Sequence, residues 1–170
     1  MANLAIGSYE AAALMGVHFT RPGRMYESGL IDGRVLSGVR VSDTPRRFVV
    51  YSQRSCEENF QEYDRKEKPG RPRDWLHLRP DALRRLAKAK PQVLYDDAIG
   101  IADAAKMLGV HYTMVYKLIE SGKIVARSPW NPRRGGSRVF IVSRKSCEAN
   151  RKLVAAQEMA GKKRGRKRKS

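Results

Sequence analysis

Residues 6–59 recur in altered form as residues 99–150, and this duplication restricts the possible folds more than any other feature of the chain. Ile6-Gly7 corresponds to Ile99-Gly100, Met15-Gly16-Val17-His18-Phe19-Thr20 to Leu108-Gly109-Val110-His111-Tyr112-Thr113, and Glu27-Ser28-Gly29 to Glu120-Ser121-Gly122, all at an offset of 93. Further on, Ser52-Gln53-Arg54-Ser55-Cys56-Glu57-Glu58-Asn59 corresponds to Ser143-Arg144-Lys145-Ser146-Cys147-Glu148-Ala149-Asn150 at an offset of 91. Two homologous modules on one polypeptide can offer two similar surfaces to one partner without dimerisation.

The 170 residues and 41% hydrophobic content suffice for two small cores. Each would be built from about 60 residues, near the lower limit for independent folding. The chain has 35 Lys and Arg against 17 Asp and Glu, a formal charge of +18. That excess favours a polyanion over a small acidic substrate, with nucleic acid the leading class. No apolar run approaches the roughly 20 residues needed to span a bilayer, and the N-terminus lacks a charged segment followed by an apolar one. These features predict a soluble protein that stays where it is made.

The cysteines, Cys56 and Cys147, hold the same position in the two copies. A disulfide between equivalent internal positions would require the modules to stack on a symmetry axis, so the expected role is a small, half-buried packing residue. No His neighbours them to make a zinc site. The sequence contains no carboxylate pair, metal-ligand cluster or nucleophile elbow, and no enzyme, metal or cofactor is expected.

In the second copy, Asp103-Ala104-Ala105-Lys106-Met107-Leu108 has the spacing of a short amphipathic helix, with Gly109 at its left-handed end. His111-Tyr112-Thr113 opens a second helix with Val115, Leu118 and Ile119 as its apolar stripe, closed by Ser121-Gly122. Two helices joined by Gly-Val describe a helix-turn-helix. Residues 124–127, a polar turn from Asn131 to Ser137 and the run Val139-Phe140-Ile141-Val142 predict a β-hairpin wing. Ser143 is placed to cap a third helix reaching about Met159.

Ala104-Ala105-Lys106-Met107-Leu108-Gly109-Val110 and Val115-Tyr116-Lys117-Leu118-Ile119-Glu120-Ser121-Gly122-Lys123-Ile124 resemble the MerR-type and excisionase-type winged helix-turn-helix domains. In copy one the resemblance rests on Glu10-Ala11-Ala12-Ala13-Leu14-Met15-Gly16-Val17, Glu27-Ser28-Gly29-Leu30-Ile31 and the hairpin ending in Phe48-Val49-Val50-Tyr51. The resemblance implies that the second helix enters the major groove while the wing tracks the neighbouring backbone or minor groove. Tyr112, Thr113, Tyr116 and Lys117 would then face bases and phosphates, and Arg127, Arg133, Arg134 and Arg138 would clamp the backbone. The alternative for the two tyrosines is that they cover the edge of the core. His18 and His111 stand where the family often has a capping Ser, which implies a cap or turn role.

Copy one departs from the pattern in the second helix. Arg21-Pro22-Gly23-Arg24 replaces Met114-Val115-Tyr116-Lys117. Proline is tolerated only in a first turn, so this helix is expected to start near Thr20 and to be shorter than its counterpart. Thr20, Arg21 and Arg24 can still reach DNA, but the modules should read different sequences. The longer first wing is again basic, through Arg34, Arg40, Arg46 and Arg47.

Lys68-Pro69-Gly70-Arg71-Pro72-Arg73 and Lys162-Lys163-Arg164-Gly165-Arg166-Lys167-Arg168-Lys169 resemble AT-hooks. That likeness implies minor-groove contacts by Arg71, Arg73, Arg164 and Arg166 in A/T-rich DNA. Each departs from the hook at one position, Pro69 and Lys167, and a solvated basic segment or a targeting signal is the alternative. Between the modules, Arg79 to Lys90 predicts a short helix with Leu83 and Leu86 apolar, able to pack on either module or to lie along DNA.

The expected fold is mainly α with small β-hairpin wings (α+β), arranged as two tandem winged helix-turn-helix modules. Module one spans 1–65, a basic linker with a short helix 66–95, module two 96–160, and a tail expected to be disordered without DNA 161–170. The expected function is double-stranded DNA binding, as a regulator that represses or silences A/T-rich sites in a bacterial or phage nucleoid. The rival is an architectural factor of the excisionase, partition or nucleoid type, self-associating on DNA. RNA is disfavoured, because neither an RNP-type aromatic pattern nor a GXXG loop is present.

Overall fold

Gly7, in extended conformation, opens helix α1 (Ser8–Met15), whose run of alanines is withdrawn from solvent on every side. Gly16 ends α1 with φ 68°, and the Val17 amide returns to the Ala12 carbonyl at 3.0 Å. The chain then turns into α2 (Arg21–Glu27), with Pro22 in its first turn. The second half repeats this at α5 (Ile101–Leu108), Gly109 with φ 70°, and α6 (Tyr112–Glu120). These bounds agree with the sequence reading: α2 starts after Thr20 and is shorter than α6.

The computed structural model describes residues 2–39, 45–60, 79–88, 91–130 and 139–166. It is a mixed α+β structure with two three-stranded antiparallel sheets. In the first, β1 (Ala5–Ile6) pairs with β3 (Pro45–Ser52), which pairs with β2 (Gly33–Val39). In the second, β4 (Ala98–Ile99), β6 (Ile141–Ser143) and β5 (Ala126–Arg127) take the equivalent order. The third strands β1 and β4 were not anticipated, because two residues cannot display an alternating pattern. In the first half the hairpin is long, running in register from Gly33↔Tyr51 to Val39↔Pro45. In the second half the expected strand over 124–127 shrinks to Ala126–Arg127, and the basic turn at 131–138 lies outside the described residues.

Each half ends its sheet with a serine that caps a helix. Ser52 Oγ accepts from the Ser55 amide at the start of α3 (Gln53–Glu58), and Ser143 Oγ accepts from the Ser146 amide at the start of α7 (Arg144–Arg166), both at 3.1 Å. Helix α7 was expected to stop near Met159, ahead of a tail disordered without DNA, but its backbone stays helical to Arg166. Lys and Arg are good helix formers and are favoured at a C-terminal end by the helix dipole, which offsets the cost of Gly161 and Gly165. The linker helix α4 (Arg79–Lys88) takes the position on α1 that the longer α7 takes on α5: Leu86 enters the first core as Val154 enters the second. Arg79 donates to the Leu14 carbonyl at 2.9 Å and lies 3.8 Å from the centre of the Phe60 ring. The linker helix therefore belongs to the first half, with Leu83 on its exposed side.

Among the described residues, three hydrophobic clusters result. One joins Leu4, Ile6, Leu14, Met15, Met25 and Tyr51 within the first half, and one joins Ile101, Leu108, Val115, Leu118, Ile124 and Val142 within the second. The third crosses between halves: Ala5, Leu36 and Val50 meet Ala98 and Ile141, with Val93 between them. Fully burying one such Val, Leu or Ile side chain contributes about 1.5–3 kcal/mol, so the cross-half cluster holds the halves together appreciably. Both cysteines are free and fully buried, one in each intramodular core, rather than half-buried.

Candidate nucleic-acid interface

Helix α6 divides cleanly by exposure. Val115 and Leu118 are buried, while Thr113, Lys117 and Glu120 are exposed along the opposite side. His111 holds the N-cap position, yet its ring makes no capping bond to the helix backbone; its Nδ1 instead lies 3.0 Å from Thr113 Oγ1. His18 Nδ1 lies 2.9 Å from Thr20 Oγ1 in the same way and also accepts from the Thr20 amide at 3.5 Å. The two histidines thus hold the threonines at the start of the second helices, which is a turn role.

Tyr112 and Tyr116 are half-buried. Their rings meet edge to face at 6.4 Å, and Tyr116 meets Phe140 in the same manner at 5.8 Å. Burial pushes the Tyr116 phenol above its ordinary value. The packing agrees with the core-edge reading of these tyrosines: both lie against the second core, and Tyr116 ties the second helix to the segment entering β6. In α2, Pro22 and Met25 face inward while Arg21 and Arg24 are exposed beside Thr20. Gly23 takes the place of Tyr116, and an added Cβ there would meet nothing nearer than the Tyr51 hydroxyl at 3.9 Å. The two outward faces share the threonine, one basic residue and the closing glutamate, Glu27 and Glu120, and differ elsewhere.

Arg127 requires correction. Expected to clamp a DNA backbone, it is buried at 7% exposure, paired with Glu10 and donating to the Ala5 carbonyl at 2.9 Å. Both residues of the short strand β5 are buried, Ala126 in the second core and Arg127 against the first half. Glu10 is saturated there, since it also accepts from the Gly7 amide at 2.9 Å and the Trp130 amide at 3.0 Å. Sequence reasoning missed Glu10, Arg127 and Trp130 as an internal joint. The available signal was that Arg34 and Arg127, and likewise Glu10 and Asp103, recur at the offset of 93.

Of the other expected contact residues, Arg40, Arg71, Arg73, Arg133, Arg134 and Arg138 lie outside the described residues. Arg46 and Arg47 fall on β3, and Arg164 and Arg166 on the last turns of α7, by backbone position. Arg34 reaches the other half, donating to the Asp96 carbonyl at 3.2 Å, and sits 5.2 Å from the centre of the Tyr95 ring. Among the described residues no group of His, Cys, Asp and Glu could hold a metal ion, and no helix is long and apolar enough to cross a membrane.

The arrangement can present two short helices with a hydroxyl and a cation on their outer faces, which suits phosphate and base-edge contacts. Comparison with curated proteins and with solved structures finds no match. Residues 99–143 match the model of a family described as a helix-turn-helix domain, a range that takes in the second residue of β4 and all of α5, α6, β5 and β6. Over these residues the second half is thus similar to a helix-turn-helix domain.

Proposed function

We propose that the chain is a double-stranded DNA-binding protein in which both halves act as winged helix-turn-helix modules, α2 and α6 entering the major groove. The observation that carries this reading is the outer face of α6, with Thr113 and Lys117 exposed above buried Val115 and Leu118, inside the helix-turn-helix match. The first half supports it by repeating the same order of elements, with Thr20, Arg21 and Arg24 on the equivalent face. The charge of +18 supplies the sequence-independent part of binding through counterion release. Because the two faces differ, the target is a composite site and not two copies of one half-site. The biological output is transcriptional regulation, as repression or silencing of A/T-rich DNA, with the basic segments around Arg71 and Arg164 adding minor-groove contacts.

The competing reading is an architectural factor that coats or bends DNA, favoured by the size of the positive charge. Selection of bound fragments from genomic DNA, at about 0.1 and 0.3 M salt, separates the two. A bipartite motif of fixed spacing that persists at the higher salt supports a site-specific regulator. Broad A/T enrichment with lengthening footprints that vanish at higher salt supports coating. Binding of structured RNA in preference to duplex DNA would overturn both.

A further inference from the structure

The contacts between the halves are reciprocal. Arg34 in the first half donates to the Ala98 carbonyl in the second at 3.5 Å, and its equivalent Arg127 donates to the Ala5 carbonyl, the equivalent of Ala98. The Ser37 amide donates to Asp103 at 3.4 Å, and its equivalent Trp130 donates to Glu10, the equivalent of Asp103. Gly100 packs on the backbone of Ser37 and its equivalent Gly7 packs on Pro129, one residue before the equivalent of Ser37. Val50 and Ile141, and Ala5 and Ala98, meet in one cluster as further matched pairs.

When residue i of one unit meets j of the other and j of the first meets i of the second, the operation relating the units is a two-fold rotation. A translational, head-to-tail relation would bring together unlike patches and leave an unused one at each end. The duplicated chain has therefore folded as a dimer closed on itself, with helices α2 and α6 related by a pseudo-dyad. A DNA duplex has dyads of its own perpendicular to its axis, so helices related by a two-fold meet its grooves in opposite directions, on sites that mirror palindromic spacing.

We propose that one chain reads an inverted pair of unlike half-sites on a single duplex, with α2 and α6 running in opposite senses along it. This rests on the winged helix-turn-helix reading above. The unlike faces of α2 and α6 hide the inversion in the native target, since unlike half-sites carry no visible palindrome. Making the two faces alike exposes it.

The test is random-duplex selection with the full chain carrying Phe19→Tyr, Arg21→Met, Gly23→Tyr and Arg24→Lys, which copies Tyr112, Met114, Tyr116 and Lys117 onto their equivalent positions in and just before α2 and keeps Pro22, Met25 and Tyr26. The expected result is a palindromic motif of fixed spacing; a tandem motif overturns the inversion while leaving DNA reading by both helices intact. Should the fourfold variant fold poorly, the native chain gives the same answer by tethered cleavage. Ser28→Cys and Ser121→Cys variants each carry an iron-EDTA group at an exposed, equivalent position, while buried Cys56 and Cys147 escape labelling. Cuts displaced both outward or both inward from the two protected stretches support the inversion. Cuts displaced in one common direction, or protection split between two bridged duplexes, overturn it. Failure of the native chain to retain a labelled duplex in an electrophoretic shift sinks the underlying reading and the inversion with it.

Discussion

Arg127 and Glu10 form an ion pair across the joint between the two halves, their side chains only 6% and 2% exposed. Removing one partner leaves the other charge buried and unpaired. Glu10→Ala is therefore expected to destabilise the fold by about 3–5 kcal/mol, by urea denaturation. The double variant Glu10→Ala with Arg127→Met should recover a large part of that loss, because the charge left unpaired is then absent. The recovery will be partial, since the Gly7 and Trp130 amides also lose their acceptor. A single variant as stable as the parent, or a double variant no better than the single, would contradict this account of the joint.

That joint also marks where the sequence stopped being informative. The helix pairs were legible because Ile101, Ala104 and Leu108, then Val115 and Leu118, repeat at helical spacing, and because Gly109 and Gly16 terminate the first helices in the left-handed conformation. Pro22 likewise fixed where α2 could begin. Arg127 was misread because its partner lies 117 residues away, and a basic residue beside a basic turn reads as surface until that partner is known. β1 and β4 escaped notice because they are two residues long and are held by partners distant in sequence. The helical end of α7 was hidden by the hook-like pattern around Gly165, which local propensity alone does not resolve.

Two glycines of α5 are needed for different reasons, and alanine separates them. Gly100 has ordinary extended angles, φ −86° and ψ 167°, but a Cβ there would fall 2.0 Å from the Ser37 carbonyl oxygen. Gly109 has φ 70° with open space around it. Gly109→Ala should cost about 1–2 kcal/mol through backbone strain alone and leave the halves docked. Gly100→Ala should cost more and force the halves apart, increasing the radius of gyration in small-angle scattering. Equal losses without expansion in either variant would show that the approach at Gly100 is not tight.

The two buried thiols predict a loss of stability at alkaline pH. Burial pushes Cys56 up to about 12 and Cys147 to about 11 from an ordinary value of 9.0. Above pH 9 the unfolded chain gives up protons that the folded chain keeps, so stability falls as pH rises through 9 toward those values. Below pH 9 both states hold the thiol protons and these groups contribute no slope. Urea titrations between pH 8 and 10.5 on the parent and on Cys56→Ala with Cys147→Ala should give a shallower decline in the variant, whatever its baseline stability. Parallel declines would assign the alkaline loss to other groups, of which Tyr51, also raised by burial, is the first to test.

Salt dependence separates residues that meet DNA from residues that hold the protein together. Lys117 and Arg24 occupy equivalent exposed positions on α6 and α2, and each is expected to contact a phosphate. Lys117→Ala and Arg24→Ala should each weaken duplex binding while lowering the slope of log K against log salt by about 1, with thermal stability unchanged. Arg127→Met, which leaves Glu10 buried and unpaired, should lower thermal stability but keep the slope per folded molecule, because its charge never reaches the DNA. Fluorescence anisotropy across a salt series, paired with melting curves, gives both quantities for each variant. A reduced slope for Arg127→Met would return that residue to the DNA-facing set, and unchanged slopes for both Lys117→Ala and Arg24→Ala would remove α6 and α2 from the interface.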